Sequence, residues 1–172
     1  MREARAMGWM RWLAVSVAVI ALDLATKAWV SATFSLGEWR EVTTFFNLVL
    51  AHNTGAAFSF LNDAGGWQRW FFVAIKLVVS VALVVLLRKH EQHRLLPWAF
   101  SLVLGGALGN LYDRVTLGYV VDFLDFHWGG WHFPAFNVAD SAISVGVALL
   151  LWDSVVPKGR AVAAPSLPQE KP

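Results

Sequence analysis

The chain has 172 residues, of which 57% are hydrophobic and 15% charged, and it contains no cysteine. A mean hydropathy of +0.52 is too apolar for a soluble domain of this size, and the absence of cysteine excludes disulfides, thiol catalysis and thiolate metal sites. The net charge of +2 does not point to nucleic acid, because the basic residues fall where membrane topology would put them.

The length leaves room for about four helices of ~20 residues. Arg2, Arg5 and Arg11 precede an apolar run that continues past Asp23 and Lys27, so the first helix is expected over about 10–30. That run is long enough to span a bilayer, and it reads as an uncleaved transmembrane helix rather than a signal peptide. Residues 31–68 are too polar to span; Thr, Val and Phe with a turn at Asn53-Thr54-Gly55 predict a small β-rich surface element. The second span is expected at 70–87, with Lys76 snorkelling to the near interface. A basic loop at 88–94 leads to a third span at 95–112, which has Pro97 in its first turn. Residues 115–136 read as a second outer loop, 137–156 as the fourth span, and 157–172 as a disordered cytoplasmic tail rich in Pro and Ala. The fold class is therefore an α-helical membrane protein with four transmembrane helices and a β-rich element on its surface. Lys and Arg concentrate in the N-terminus, the 88–94 loop and the tail, which puts both termini in the cytoplasm.

With that topology the costly polar residues fall at one depth near the outer face. Asp23 and Lys27 lie at the outer end of helix 1, Gly106, Asn110 and Arg114 at the outer end of helix 3, and Asn137 and Asp140 at the start of helix 4. Asp122 is delivered beside them by the second outer loop. Two carboxyls that share a proton can activate water and protonate a leaving amine, which predicts a membrane-embedded aspartyl peptidase. The plainer reading makes Asn137 an N-cap and Asp140 a helix-dipole partner, and leaves Asp122 unexplained. Asp125 is a lower-ranked rival for the second carboxyl. Gly106, Asn110 and Arg114 share one helix face at i, i+4 and i+8, while Gly105 and Gly109 read as helix packing. Arg114 is expected to hold substrate carbonyls, and Asp113 to pair with a cation elsewhere. Asp23 and Lys27 at i, i+4 read either as an ion pair or as substrate ligands, and Asn53 alone is weak evidence. His127 and His132 fit no zinc spacing, so no metal and no cofactor is expected. A small proton-coupled transporter is the alternative function, disfavoured because a relay needs polar groups at several depths. A non-catalytic assembly factor is the other.

These residues carry a resemblance. Asp23 and Lys27, Asn53-Thr54-Gly55-Ala56-Ala57-Phe58, Gly109-Asn110-Leu111-Tyr112-Asp113-Arg114, Gly118-Tyr119-Val120-Val121-Asp122-Phe123 and Phe136-Asn137-Val138-Ala139-Asp140 resemble, in order, the sequence boxes of bacterial lipoprotein signal peptidase, or signal peptidase II. The similarity spans about residues 9 to 156; Lys76 and Asp153 lie outside the pattern. The resemblance implies an inner-membrane aspartyl peptidase with a periplasmic β-sheet and an active site near the periplasmic face. It implies cleavage of diacylglyceryl-modified prolipoproteins just before the lipid-bearing cysteine, contact with membrane lipids, and inhibition by globomycin. Asp122 and Asp140 would be the catalytic pair. Asn53, Gly106, Asn110, Arg114 and Asn137 would shape the site or hold substrate, supported by Asp23 and Lys27.

Overall fold

A computed structural model describes residues 8–55 and 66–156. Its order is α1 (Met10–Thr33), β1 (Trp39–Thr43), β2 (Phe46–Asn53), α2 (Trp67–Lys89), α3 (Leu96–Thr116), β3 (Val120–Trp128), β4 (Trp131–His132) and α4 (Val138–Val155). The tail expected at 157–172 lies outside the described residues, as does Ala56-Ala57-Phe58.

Three helices, α1, α2 and α4, are long and apolar enough to cross a membrane. The fourth, α3, has 21 residues but is not among them, because it carries Asn110, Asp113 and Arg114. Its position explains that composition. It packs against α1, α2 and α4, so most of its side chains face protein. The other three helices leave large apolar residues such as Val17, Val78 and Leu151 on the outside, as lipid-facing helices do.

Small residues let α3 sit this close. A Cβ on Gly105 would come within 2.8 Å of the Val19 side chain and 2.9 Å of the Ser16 carbonyl oxygen in α1. A Cβ on Gly109 would meet Asp23 Oδ2 at 2.7 Å, and one on Gly106 would collide with the Ala139 carbonyl of α4. Gly105 and Gly109 thus face α1 while Gly106 faces α4.

The four strands form one antiparallel sheet in the order β1-β2-β3-β4. This corrects the expected second outer loop, since residues 120–132 supply two of the strands. The hairpin between them turns on Gly129 and Gly130, with φ of 56° and 84°. A two-residue turn with both φ positive matches the right-handed strand twist, and glycine adopts it without a Cβ penalty. One sheet face is seated on the end of α1, where Val30 and Phe34 pack with Leu50, Val121 and Phe123. A second apolar cluster, Leu83 and Leu87 with Phe100 and Leu104, binds α2 to α3 at the other end of the bundle.

Gly105→Ala is expected to destabilise the protein by about 1–3 kcal/mol, because backbone of α1 must move to admit the methyl group. Thermal unfolding in detergent measures this; an unchanged midpoint would mean that α1 and α3 are not in close contact.

Candidate active site

Lys27 stands at the base of the site. Its Nζ lies 2.7 Å from Asp23 Oδ2 and 2.9 Å from Asp113 Oδ2, and donates a 2.9 Å hydrogen bond to Asn110 Oδ1. All four side chains are buried. The i, i+4 ion pair expected in α1 is therefore present, and the cation for Asp113 is Lys27. Each carboxylate also fixes backbone from another element. Asp23 Oδ1 accepts from the Ala139 N–H in the first turn of α4 at 2.9 Å, and Asp113 Oδ2 accepts from the Val121 N–H of β3 at 3.2 Å.

Asn110 passes this order upward. Its Nδ2 donates to Asp140 Oδ1 at 2.8 Å, while its Oδ1 accepts from Lys27 and, at 3.2 Å, from Asn137 Nδ2. Asn137 is fully buried and caps α4: its Oδ1 accepts the Asp140 N–H at 2.9 Å. Its Nδ2 donates to Asp122 Oδ1 at 2.7 Å. The capping role is real, but the same amide ties Asp140 to Asp122, so capping does not compete with a role in the site. The other oxygen of Asp122 accepts from Asn53 Nδ2, the last residue of β2, at 3.0 Å.

Asp122 is buried, and that burial first, then the negative charge of Asp140, pushes its carboxyl up to about 7. Hydrogen bonds from Asn53 and Asn137 and the charge of Lys27 oppose the rise. A carboxyl raised this far is divided between its protonated and ionised forms near neutral pH.

Asp125 is not part of this group. Three residues along β3 it projects to the opposite side from Asp122, where it accepts from Asn47 Nδ2 at 2.9 Å and lies 2.9 Å from His132 Nδ1. Arg114 engages the backbone of this chain. Its fork donates to the protein's own carbonyls, Thr54 at 3.0 Å and Gly55, and its guanidinium lies 4.8 Å from the Phe72 ring centre. It holds the chain just beyond Asn53. Arg69, which no sequence motif singles out, donates to the carbonyls of Arg114 and Val115 at 2.8 and 2.7 Å and so secures the end of α3. Gly106 contributes by letting the first turn of α4, with Ala139 and Asp140, lie against α3.

The sequence profile described as Signal peptidase (SPase) II matches residues 15–156. The chain belongs to the signal peptidase II family. A lipoprotein signal peptidase of Burkholderia vietnamiensis is 53% identical over 84% of this chain and 87% of its own length. One from Cupriavidus necator is 56% identical, covering 84% and 82%. A solved structure described as a bacterial membrane enzyme superposes with a TM-score of 0.78 at 36% identity, covering 89% of this chain and 94% of its own. Family membership makes the chain a peptidase.

Arg114→Lys keeps the charge but replaces a planar fork by one compact ammonium, which cannot hold two adjacent carbonyls in the same way. The variant is expected to accumulate normally and to lose at least about tenfold in peptidase turnover, roughly 1.4 kcal/mol of transition-state stabilisation. Wild-type turnover would reduce Arg114 to a packing element.

Proposed function

We propose that the chain is a membrane aspartyl endopeptidase that removes signal peptides from diacylglyceryl-modified prolipoproteins, with Asp122 and Asp140 as its catalytic carboxyls. The observation that carries the reading is the shared amide of Asn137, which bonds the side chain of Asp122 and the backbone of Asp140 at once. The remaining assigned residues act through the pair. Asn110, Asn137 and Asn53 orient the carboxyls, Asp23 and Lys27 support Asn110 and α4, Gly106 admits α4, and Arg114 fixes the strand end that bears Asn53. Membership of signal peptidase II sets aside the transporter alternative.

The reaction needs no covalent intermediate. The ionised carboxyl takes a proton from water as its oxygen attacks the scissile carbonyl carbon, and the protonated carboxyl gives its proton to the carbonyl oxygen. The tetrahedral species collapses when the first carboxyl passes its proton to the amide nitrogen. The C–N bond breaks, the amine leaves, and the second carboxyl recovers its proton from the new carboxylic acid. No step uses a metal or a cofactor.

On this reading all four helices cross a bacterial inner membrane, with α3 shielded by the other three and both termini cytoplasmic. The sheet and the catalytic pair lie at the periplasmic side, and the chain up to residue 156 works as one membrane-embedded peptidase unit. The diacylglyceryl chains stay in the bilayer, anchored among membrane lipids, and anchoring raises the local concentration of the scissile bond at the right depth. Globomycin-type cyclic peptides bind over the same pair of carboxyls and inhibit the reaction.

Asp122→Asn and Asp140→Asn are each expected to insert normally and to cost at least about a hundredfold in cleavage of a diacylglyceryl-modified prolipoprotein. Near-full activity in either variant would remove that carboxyl from the mechanism. The pH profile follows from the raised carboxyl of Asp122. It keeps its proton below about 7 and loses it above, so kcat/KM should decline on the alkaline side with a midpoint at about 7. A rate that stays flat well into alkaline pH would contradict the shared-proton pair.

A further inference from the structure

Lys76 is the one charge in the apolar middle of α2. It lies on a stripe that starts with Arg69 and Phe72 and continues through Ser80, Leu83 and Leu87, all at helical spacing. Both ends of that stripe pack on α3. Arg69 and Phe72 engage Arg114 at its outer end, and Leu83 and Leu87 cluster with Phe100 and Leu104 at its inner end. Lys76 lies between them, so it faces α3, while its sequence neighbours Ile75 and Leu77 are 43% and 50% exposed on the outside of the bundle. It is half-buried. The expected snorkelling into an interface thus gives way to a position against the protein.

Its depth can be read from the antiparallel pairing. One turn inward from Phe72 on α2 is Lys76. One turn inward from Arg114 on α3 is Asn110, whose amide holds Asp140. Lys76 lies within electrostatic reach of Asp140, Arg114, Lys27 and Asp122. Among the described residues it has no hydrogen-bond or ion-pair partner.

The charges around the pair make that free ammonium significant. Asp23 and Lys27 come from α1, Asp113 and Arg114 from α3, Asp122 from β3, Asp140 from α4 and Lys76 from α2. With one proton on the pair, three carboxylates face Lys27, Arg114 and Lys76, and the cluster is neutral. Without Lys76 it carries a net negative charge inside an apolar bundle, and taking up a second proton would relieve it.

We propose that Lys76 is a positioning residue for the catalytic pair, supplying from α2 the third positive charge that holds the pair in its singly protonated state. The inference rests on the proposed function. Removing the charge increases the pair's affinity for protons, so the remaining proton is lost at higher pH.

The test is the pH dependence of kcat/KM on a diacylglyceryl-modified prolipoprotein in nanodiscs, for the wild type, Lys76→Met, Lys76→Gln and Lys76→Arg. The methionine and glutamine variants should move the alkaline limb upward by about half a unit or more, and arginine should keep it in place. Either neutral variant suffices if the other fails to accumulate. Neutral-variant limbs that coincide with wild type, or a rise in KM with the limb unmoved, overturn the positioning role. So does an arginine variant that shifts as far as methionine. A wild type that does not cleave the substrate at any pH overturns the proposed function itself.

Discussion

One ammonium surrounded by three oxygens governs the arrangement of this protein. Burying the charge of Lys27 costs several kcal/mol unless it is paired and hydrogen-bonded, and removing one member of such a buried group typically costs 3–5 kcal/mol. Here the partners are Asp23 from the same helix and Asp113 and Asn110 from α3. The two carboxylates then use their remaining capacity on backbone N–H groups of α4 and β3. A displacement of any of these elements would strand a charge away from water. Four elements are thereby registered against one another by electrostatics, in a setting where lipid offers little hydrophobic preference between helices.

Glycine is the other half of that constraint. The oxygens of Asp23 reach both Lys27 and α4 only because Gly109 leaves space where a Cβ would press on Oδ2, and α4 reaches α3 only because Gly106 leaves room for the Ala139 carbonyl. Packing and polar satisfaction are therefore one requirement. The small residues of α3 decide how near the helices come, and that separation decides whether the amide of Asn110 spans from Lys27 to Asp140.

Much of this was legible in the sequence, because the costs are large and local. Asp23 and Lys27 at i, i+4, and the face shared by Gly106, Asn110 and Arg114, follow from helical periodicity, and the common depth follows from the distribution of Lys and Arg. The strands of residues 120–132 were less visible. Their apolar and aromatic residues suit a membrane surface as well as a sheet, although Gly129-Gly130 between Trp128 and Trp131 is a hairpin signal that could have revealed them. The partners of Arg114 were not legible at all. A guanidinium accepts any pair of suitably placed carbonyls, and nothing in the local pattern distinguishes substrate backbone from that of Thr54 and Gly55. Asn137 was legible as a cap, but its bond to Asp122 depends on a long-range return of β3 that has no local signature.

The polar core also has a consequence for assembly. Chain synthesis delivers α1 first, with only the internal Asp23–Lys27 pair to soften its entry into lipid. The acceptor at Asn110 arrives 83 residues later, and the N–H of Ala139 that completes Asp23 arrives after 116. For most of synthesis α1 is therefore an inserted helix with unfinished polar business, and the last helix is the one that closes the site. A chain released before α4 would have its first three helices and all four strands, but neither the N–H of Ala139 for Asp23 nor the carboxyl of Asp140 for Asn110, so the polar core would stay open until α4 arrives.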